Sequence, residues 1–156
     1  MLKYIAIILL VLGLGLALKP VSENPGTALK DTVCPVIDFE SEFQTRVIAE
    51  TIAAEACGEG AYGMLAVADT IANRASLEKK SPYEIVIAPK QYKGYVSETR
   101  AKRYDECKET AQTLATNIEN LQDVTNGALY FKTKNEKKQR WHKTLTIVIG
   151  AHEFYK

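Results

Sequence analysis

The 156 residues include only two histidines and three cysteines, and no two cysteines are spaced C-x-x-C. A zinc site is therefore not expected, and no cofactor is called for. Neither sign of charge dominates, with 20 Lys and Arg against 19 Asp and Glu and a formal net charge of +1. That balance excludes the basic field on which nucleic-acid binding rests. Internal repeats and low-complexity tracts are absent. A long apolar run is lacking too, except at the start, where Tyr4 to Leu18 is uncharged for 15 residues. Spanning a bilayer usually takes about 20 apolar residues, and a core of about 7–15 suits a signal peptide.

That start, MLKYIAIILLVLGLGLALKP, has Lys3 before the apolar run and small residues at Gly15 and Ala17. Residues 1–18 therefore read as a signal peptide cut after Ala17 or as a short retained membrane anchor. Both readings export the remainder to the periplasm or cell envelope, with membrane contact confined to residues 1–18. No cysteine follows the run at once, so a lipoprotein signal is not present. Residues 19–37 carry three prolines and one glycine without periodicity and read as a linker. The length leaves one domain, residues 38–156, expected as a monomer. In an oxidising compartment Cys34, Cys57 and Cys107 allow one bridge and leave one thiol.

The domain begins helical. Ser41 with Gln44 fits a capping box, and Phe43, Val47, Ile48, Ile52 and Ala56 recur on one face, predicting a helix over about 42–57. Gly58, Gly60 and Gly63 are expected to break it. A second helix follows through Met64, Val67, Ala68 and Ile71 to about Leu77, where Asn73-Arg74 reads as structural, a cation favoured by the helix end. Ser81-Pro82-Tyr83-Glu84 is a further capping box opening a short helix. Residues 90–96 read as a tyrosine-bearing loop, and the longest helix as about 98–119. Asn126-Gly127 signals a turn, Ala128–Phe131 a short strand, Thr144–Ile149 a second, and HEFYK a third. Helices first and strands last make an α+β domain, a mainly helical body with a small C-terminal antiparallel β-sheet.

Gly58 to Gly63 matches the dinucleotide pattern GxGxxG by letter. The segment before it is helical rather than a strand, so the match is accidental. Carboxylates carry more promise. Cutting a glycosidic bond needs an acid that holds its proton against the leaving oxygen. At 100° per residue Glu55 falls beside Ile48 at the edge of the apolar face, next to the glycine turn. Glu50, one turn earlier on a more polar side, and Glu59, within the turn, are its rivals. A helix glutamate is in general a solvated surface charge, so spacing alone leaves the choice open.

The stretch TIAAEACGEGAYGMLAVADTIANR resembles the opening signature of the SleB/CwlJ cell wall hydrolase family. The shared pattern is a glutamate, a small turn with a second glutamate and glycines, then a small-apolar helix ending in Asn-Arg. Gln91-Tyr92, TNGALYF at 125–131, Trp141 and IGAHEFY at 149–155 match in the same order. The resemblance covers about residues 45–156. It implies a lysozyme-like body and glycan-strand cleavage between N-acetylmuramic acid and N-acetylglucosamine, in the manner of a lytic transglycosylase. Its catalytic glutamate maps onto Glu55. Glu59 becomes a helper that binds sugar or orients the turn, and Gln91, Tyr92, Tyr130 and Trp141 become candidate substrate-binding residues. His152, between apolar neighbours on a strand, reads as structural.

Two positions depart from the family. Cys57 stands where arginine is often found, and Leu129-Tyr130-Phe131-Lys132 where histidines often are. Cys57 suits buried packing first, then half of a bridge to Cys107 or Cys34, or a redox-sensitive thiol. The run Lys132, Lys134, Lys137, Lys138 and Arg140 reads as a solvated loop, interrupted by Glu136, with attraction for anionic wall polymer as the second reading. The partner implied is peptidoglycan, in wall turnover or in phage lysis of a host. The alternative is a non-catalytic peptidoglycan-binding envelope protein on the same scaffold.

Overall fold

The structure, a computed structural model, describes residues 38–92, 98–140 and 142–156, with residues 98–103 described by backbone alone. The targeting segment, the linker with Cys34, most of the tyrosine loop and Trp141 lie outside the described residues.

Helix α1 spans Phe39–Ala56 and is capped by Asp38, whose carboxylate accepts from the Ser41 N–H at 3.3 Å. The helix therefore starts before Ser41, and the box expected from Ser41 and Gln44 does not form. Gln44 donates instead to Glu40 at 2.7 Å. Glu40 and Glu42 in the first turn suit the positive end of the helix dipole. Val47, Ile48, Ile52 and Ala56 are buried as their spacing predicts, but Phe43 is 53% exposed. It sits ahead of the core and meets Tyr83 edge to face, centroids 6.3 Å apart.

Only one tight turn, Cys57–Glu59, separates α1 from helix α2, Gly60–Glu78. Gly63, expected to break the chain's helical run, lies inside α2. A Cβ there would stand 2.3 Å from the Cβ of Glu59, so glycine serves close approach rather than a break. Helix α3, Pro82–Ile87, has the predicted capping box in full, with Glu84 N–H to Ser81 at 3.2 Å and Ser81 N–H to Glu84 at 2.8 Å. Helix α4, Glu98–Thr116, is kinked at Cys107 and followed by one tighter turn, Ile118–Asn120, which accounts for the last residues of the predicted long helix. Cys57 and Cys107 are joined by a disulfide, Cα atoms 5.9 Å apart. Packing, the first reading for Cys57, thus gives way to the bridge.

Strands β1 (Tyr130–Thr133), β2 (Leu145–Ile149) and β3 (His152–Tyr155) form an antiparallel sheet in the order β1-β3-β2. Strand β1 starts two residues later than expected because Asn126 and Gly127 hold positive φ and Asp123 gathers the turn, accepting from Thr125 N–H at 2.8 Å and from Gly127 N–H. Asn73 on α2 donates to Thr125 and to the Ala128 carbonyl, at 3.3 and 3.2 Å, locking the turn onto the helix. Two apolar clusters result. One joins α1, α2, α3 and α4, and the other packs Ala128, Ile149 and Phe154 around Ala66 of α2. Among the described residues no helix is long and apolar enough to cross a membrane.

Candidate active site

Between the helical body and the sheet runs a groove of about 710 Å³. The end of α1 contributes Ala54 and Glu55, α2 contributes Thr70 and Arg74, and the corner after α3 contributes Lys90, Gln91 and Tyr92. The opposite wall is Leu129 to Thr133 of β1, with Glu136 beyond it and His152 of β3. Sequence reasoning thus named four residues that the fold gathers around one cavity: Glu55, Gln91, Tyr92 and Tyr130. Their positions follow from local rules. Helix α1 ends one residue past Glu55, at the tight turn, so its carboxylate stands half-buried at the lip of the cavity.

The rival glutamates stand elsewhere. Glu50 pairs with Arg46 at 3.0 Å along α1. Glu59 does not line the groove. Its carboxylate accepts from the Ala151 N–H at 2.8 Å in the β2–β3 turn. It ties the turn after α1 to the β2–β3 turn.

Tyr92 is buried, and burial pushes its hydroxyl pKa up to about 12. The nearby Arg74 charge and its contact with the hydroxyl pull the other way, while the Glu55 and Glu78 carboxylates add to the rise. A neutral hydroxyl therefore meets the Arg74 guanidinium, within reach of the Glu55 charge. The Tyr92 ring lies 6.3 Å from Phe131, which meets His152 edge to face at 5.4 Å. His152 is buried, as the structural reading expects, and it also lines the groove, with no hydrogen-bond partner for Nδ1 among the described residues.

Arg74, which the sequence reads as structural at a helix end, is buried in the groove wall, donating to Glu78 and to Gln91. A signal for it existed. Val67, Ile71 and Arg74 follow helical spacing on one face, and a cation continuing a buried stripe must find partners there. Lys132 is buried as well and pairs with Glu153 at 2.6 Å, so the basic run is not solvated from its first member. Among the described residues no group of three or more His, Cys, Asp or Glu could hold a metal ion.

Comparison with known proteins shows the family and the fold. The sequence profile of the Cell Wall Hydrolase family matches residues 58–155. No curated protein sequence matches the chain. Among solved structures it is similar to the catalytic domain of the germination-specific lytic transglycosylase SleB from Bacillus anthracis. Identity is 24%, coverage 72% of this chain and 93% of that one, and the TM-score 0.60. It is also similar to the catalytic domain of the Bacillus cereus SleB protein, at 24% identity, 74% and 91% coverage and a TM-score of 0.57. These likenesses carry the fold, a lysozyme-like α+β body with its small sheet. With the family profile running from the turn after α1 to the last strand, the chain belongs to the cell wall hydrolase family, of the SleB/CwlJ type, and is a peptidoglycan-cleaving enzyme.

Proposed function

We propose that the enzyme cuts the glycan strand between N-acetylmuramic acid and N-acetylglucosamine as a lytic transglycosylase, with Glu55 as its acid and base. The observation that carries this reading is the position of Glu55. It is the carboxylate from the end of α1 in a groove that also holds Gln91, Tyr92 and Tyr130. In the proposed reaction the protonated Glu55 gives its proton to the glycosidic oxygen as the bond from the muramic C1 breaks. The carboxylate left behind then takes the proton of the muramic 6-hydroxyl, and O6 bonds to C1. A 1,6-anhydro end results, without the second carboxylate that most glycosidases need.

Gln91, Tyr92, Tyr130 and Trp141 are proposed to contact the sugars, and Glu59 to help by orienting the turn beside Glu55. Family membership supports a place in the cell envelope. Export by residues 1–18, with or without retention there as an anchor, completes the proposal, with residues 38–156 as the catalytic domain acting as a monomer. The test is mass spectrometry of products released from purified sacculi. Anhydro-muramic ends are expected, and an amidase or peptidase product would overturn the reading. Glu55→Gln should fold normally and lose about 10²–10⁴-fold in activity, the scale of a lost general acid. Full activity in that variant would remove Glu55 from the chemistry. Expression with and without residues 1–18, watched for host lysis, separates a lysis role from wall turnover.

A further inference from the structure

Arg74 is 8% exposed and lines the groove, yet the proposed reaction makes no use of it. A guanidinium has five N–H donors and no acceptor. Nε and Nη2 of Arg74 donate to one Glu78 oxygen at 3.3 and 3.0 Å, and Nη1 donates to the Gln91 side-chain oxygen at 2.8 Å. The guanidinium carbon also lies 5.9 Å from the centre of the Tyr130 ring. Because arginine can only donate, the Gln91 amide must turn its oxygen toward Arg74 and its NH₂ away. Assignments of amide orientation rest on such networks, and this one leaves a single solution.

Gln91 itself is exposed and lines the groove, and among the described residues nothing accepts a hydrogen bond from its NH₂. The backbone holds it there at some cost. Lys90 adopts φ 64, a left-handed conformation unusual for a side chain of its size, and the Gln91 N–H closes the turn on the Ala88 carbonyl at 3.3 Å. A strained corner thus presents a donor of fixed direction to the groove that Tyr130 also lines.

We infer that Arg74 is a positioning residue that locks the Gln91 amide so that its NH₂ donates to the acetamido carbonyl of an N-acetylated sugar in the groove. This rests on the proposed glycan reading of the groove and names the substrate feature it selects. An amide oxygen is the strongest neutral acceptor on such a sugar. A de-N-acetylated sugar has in its place an amine, which in mildly acidic solution is an ammonium with donors only. Facing the Gln91 NH₂ and the Arg74 charge, it meets donors with donors and a cation with a cation.

The experiment is calorimetric titration of the full chain carrying Glu55→Gln, which prevents turnover, at pH 6. The ligands are peptide-free glycan oligosaccharides, N-acetylated or chemically de-N-acetylated. The N-acetylated glycan should bind about tenfold tighter, the scale of one well-placed hydrogen bond and one avoided mismatch. Adding Gln91→Glu replaces the donor with an acceptor and should abolish or reverse that preference. Arg74→Lys keeps the charge but not the fork, and should also weaken the preference. Equal affinity for the two glycans, binding of neither, or a preference that survives Gln91→Glu overturns the inference. So does a preference seen only when stem peptides are present, since the acceptor would then be a peptide carbonyl. Activity of the native chain on sacculi tests the reaction separately, so the two failures are distinguishable.

Discussion

The Glu59 carboxylate accepts a hydrogen bond from the Ala151 N–H at 2.8 Å, joining residues 92 positions apart. It rests against Gly150, where a Cβ would meet it at 1.7 Å, and Gly150 holds φ 57. The turn after α1 is thereby pinned to the β2–β3 turn. Glu59→Ala removes the acceptor of this exposed amide and should cost about 0.5–1.5 kcal/mol of stability. Glu59→Gln keeps a carbonyl oxygen and should lose less. Urea denaturation measures both, and an unchanged midpoint for Glu59→Ala would rule out the tie. Activity of the folded variant should fall far less than in Glu55→Gln.

Gly63 offers a test in which propensity and packing oppose each other. Alanine ordinarily favours a helix interior over glycine by about 1 kcal/mol. Here the new Cβ would stand 2.3 Å from the Cβ of Glu59, an atom that no side-chain rotation can move aside. Gly63→Ala should therefore destabilise by about 1–3 kcal/mol. Gly58→Ala is the control, since nothing lies within 4 Å of a Cβ at that position. A stabilised Gly63→Ala protein would contradict the close approach.

The Cys57–Cys107 bridge closes 50 residues of chain. Loop-closure entropy puts its contribution at about 4 kcal/mol. Reductant should lower the thermal midpoint of the native protein and leave Cys57→Ala/Cys107→Ala unaffected. Thiol titration of the denatured, unreduced full chain should find one thiol, and three after reduction. Three before reduction would exclude the bridge.

Asp69 brings pH into stability. It is buried on α2, accepts from the Val124 N–H at 2.6 Å, and burial raises its pKa to about 6. The folded state thus binds this proton more tightly than the unfolded chain. Its contribution is complete below about pH 4 and is lost as pH rises through about 6, a change worth about 3 kcal/mol. Asp123, its acidic neighbour, titrates below that window. Burial works to raise it, and hydrogen bonds from Thr125 and Gly127 outweigh burial and hold it low. Asp69→Asn keeps an acceptor for Val124 and removes the charge. Its midpoint should exceed that of the native protein at pH 8 and match it at pH 4. Parallel pH profiles for the two proteins would refute this.

Local chemistry was the readable part. The Ser81 and Glu84 box, the Asn126-Gly127 turn and the three strands follow from residues within a few positions of one another. Asp38 was passed over because Ser41 offers a plausible cap nearby, and either choice satisfies the same short-range pattern. Gly63 looked like a breaker because glycine's cost in a helix is visible in the sequence, while the Glu59 side chain pressed against it is not. Arg74 carried the spacing of a buried residue, but its partners come from a corner beyond the helix.

By itself the amino-acid order determined the helical body, the closing sheet and a short set of candidate carboxylates, because periodicity and capping act within about one turn. Only the tertiary structure decided that Glu55 faces the groove while Glu59 ties the turn after α1 to the β2–β3 turn, that Cys57 pairs with Cys107, and that Arg74 grips Gln91. Those pairings join positions 92, 50 and 17 apart. A repeating apolar pattern says which side of a helix is buried, never what it will be buried against.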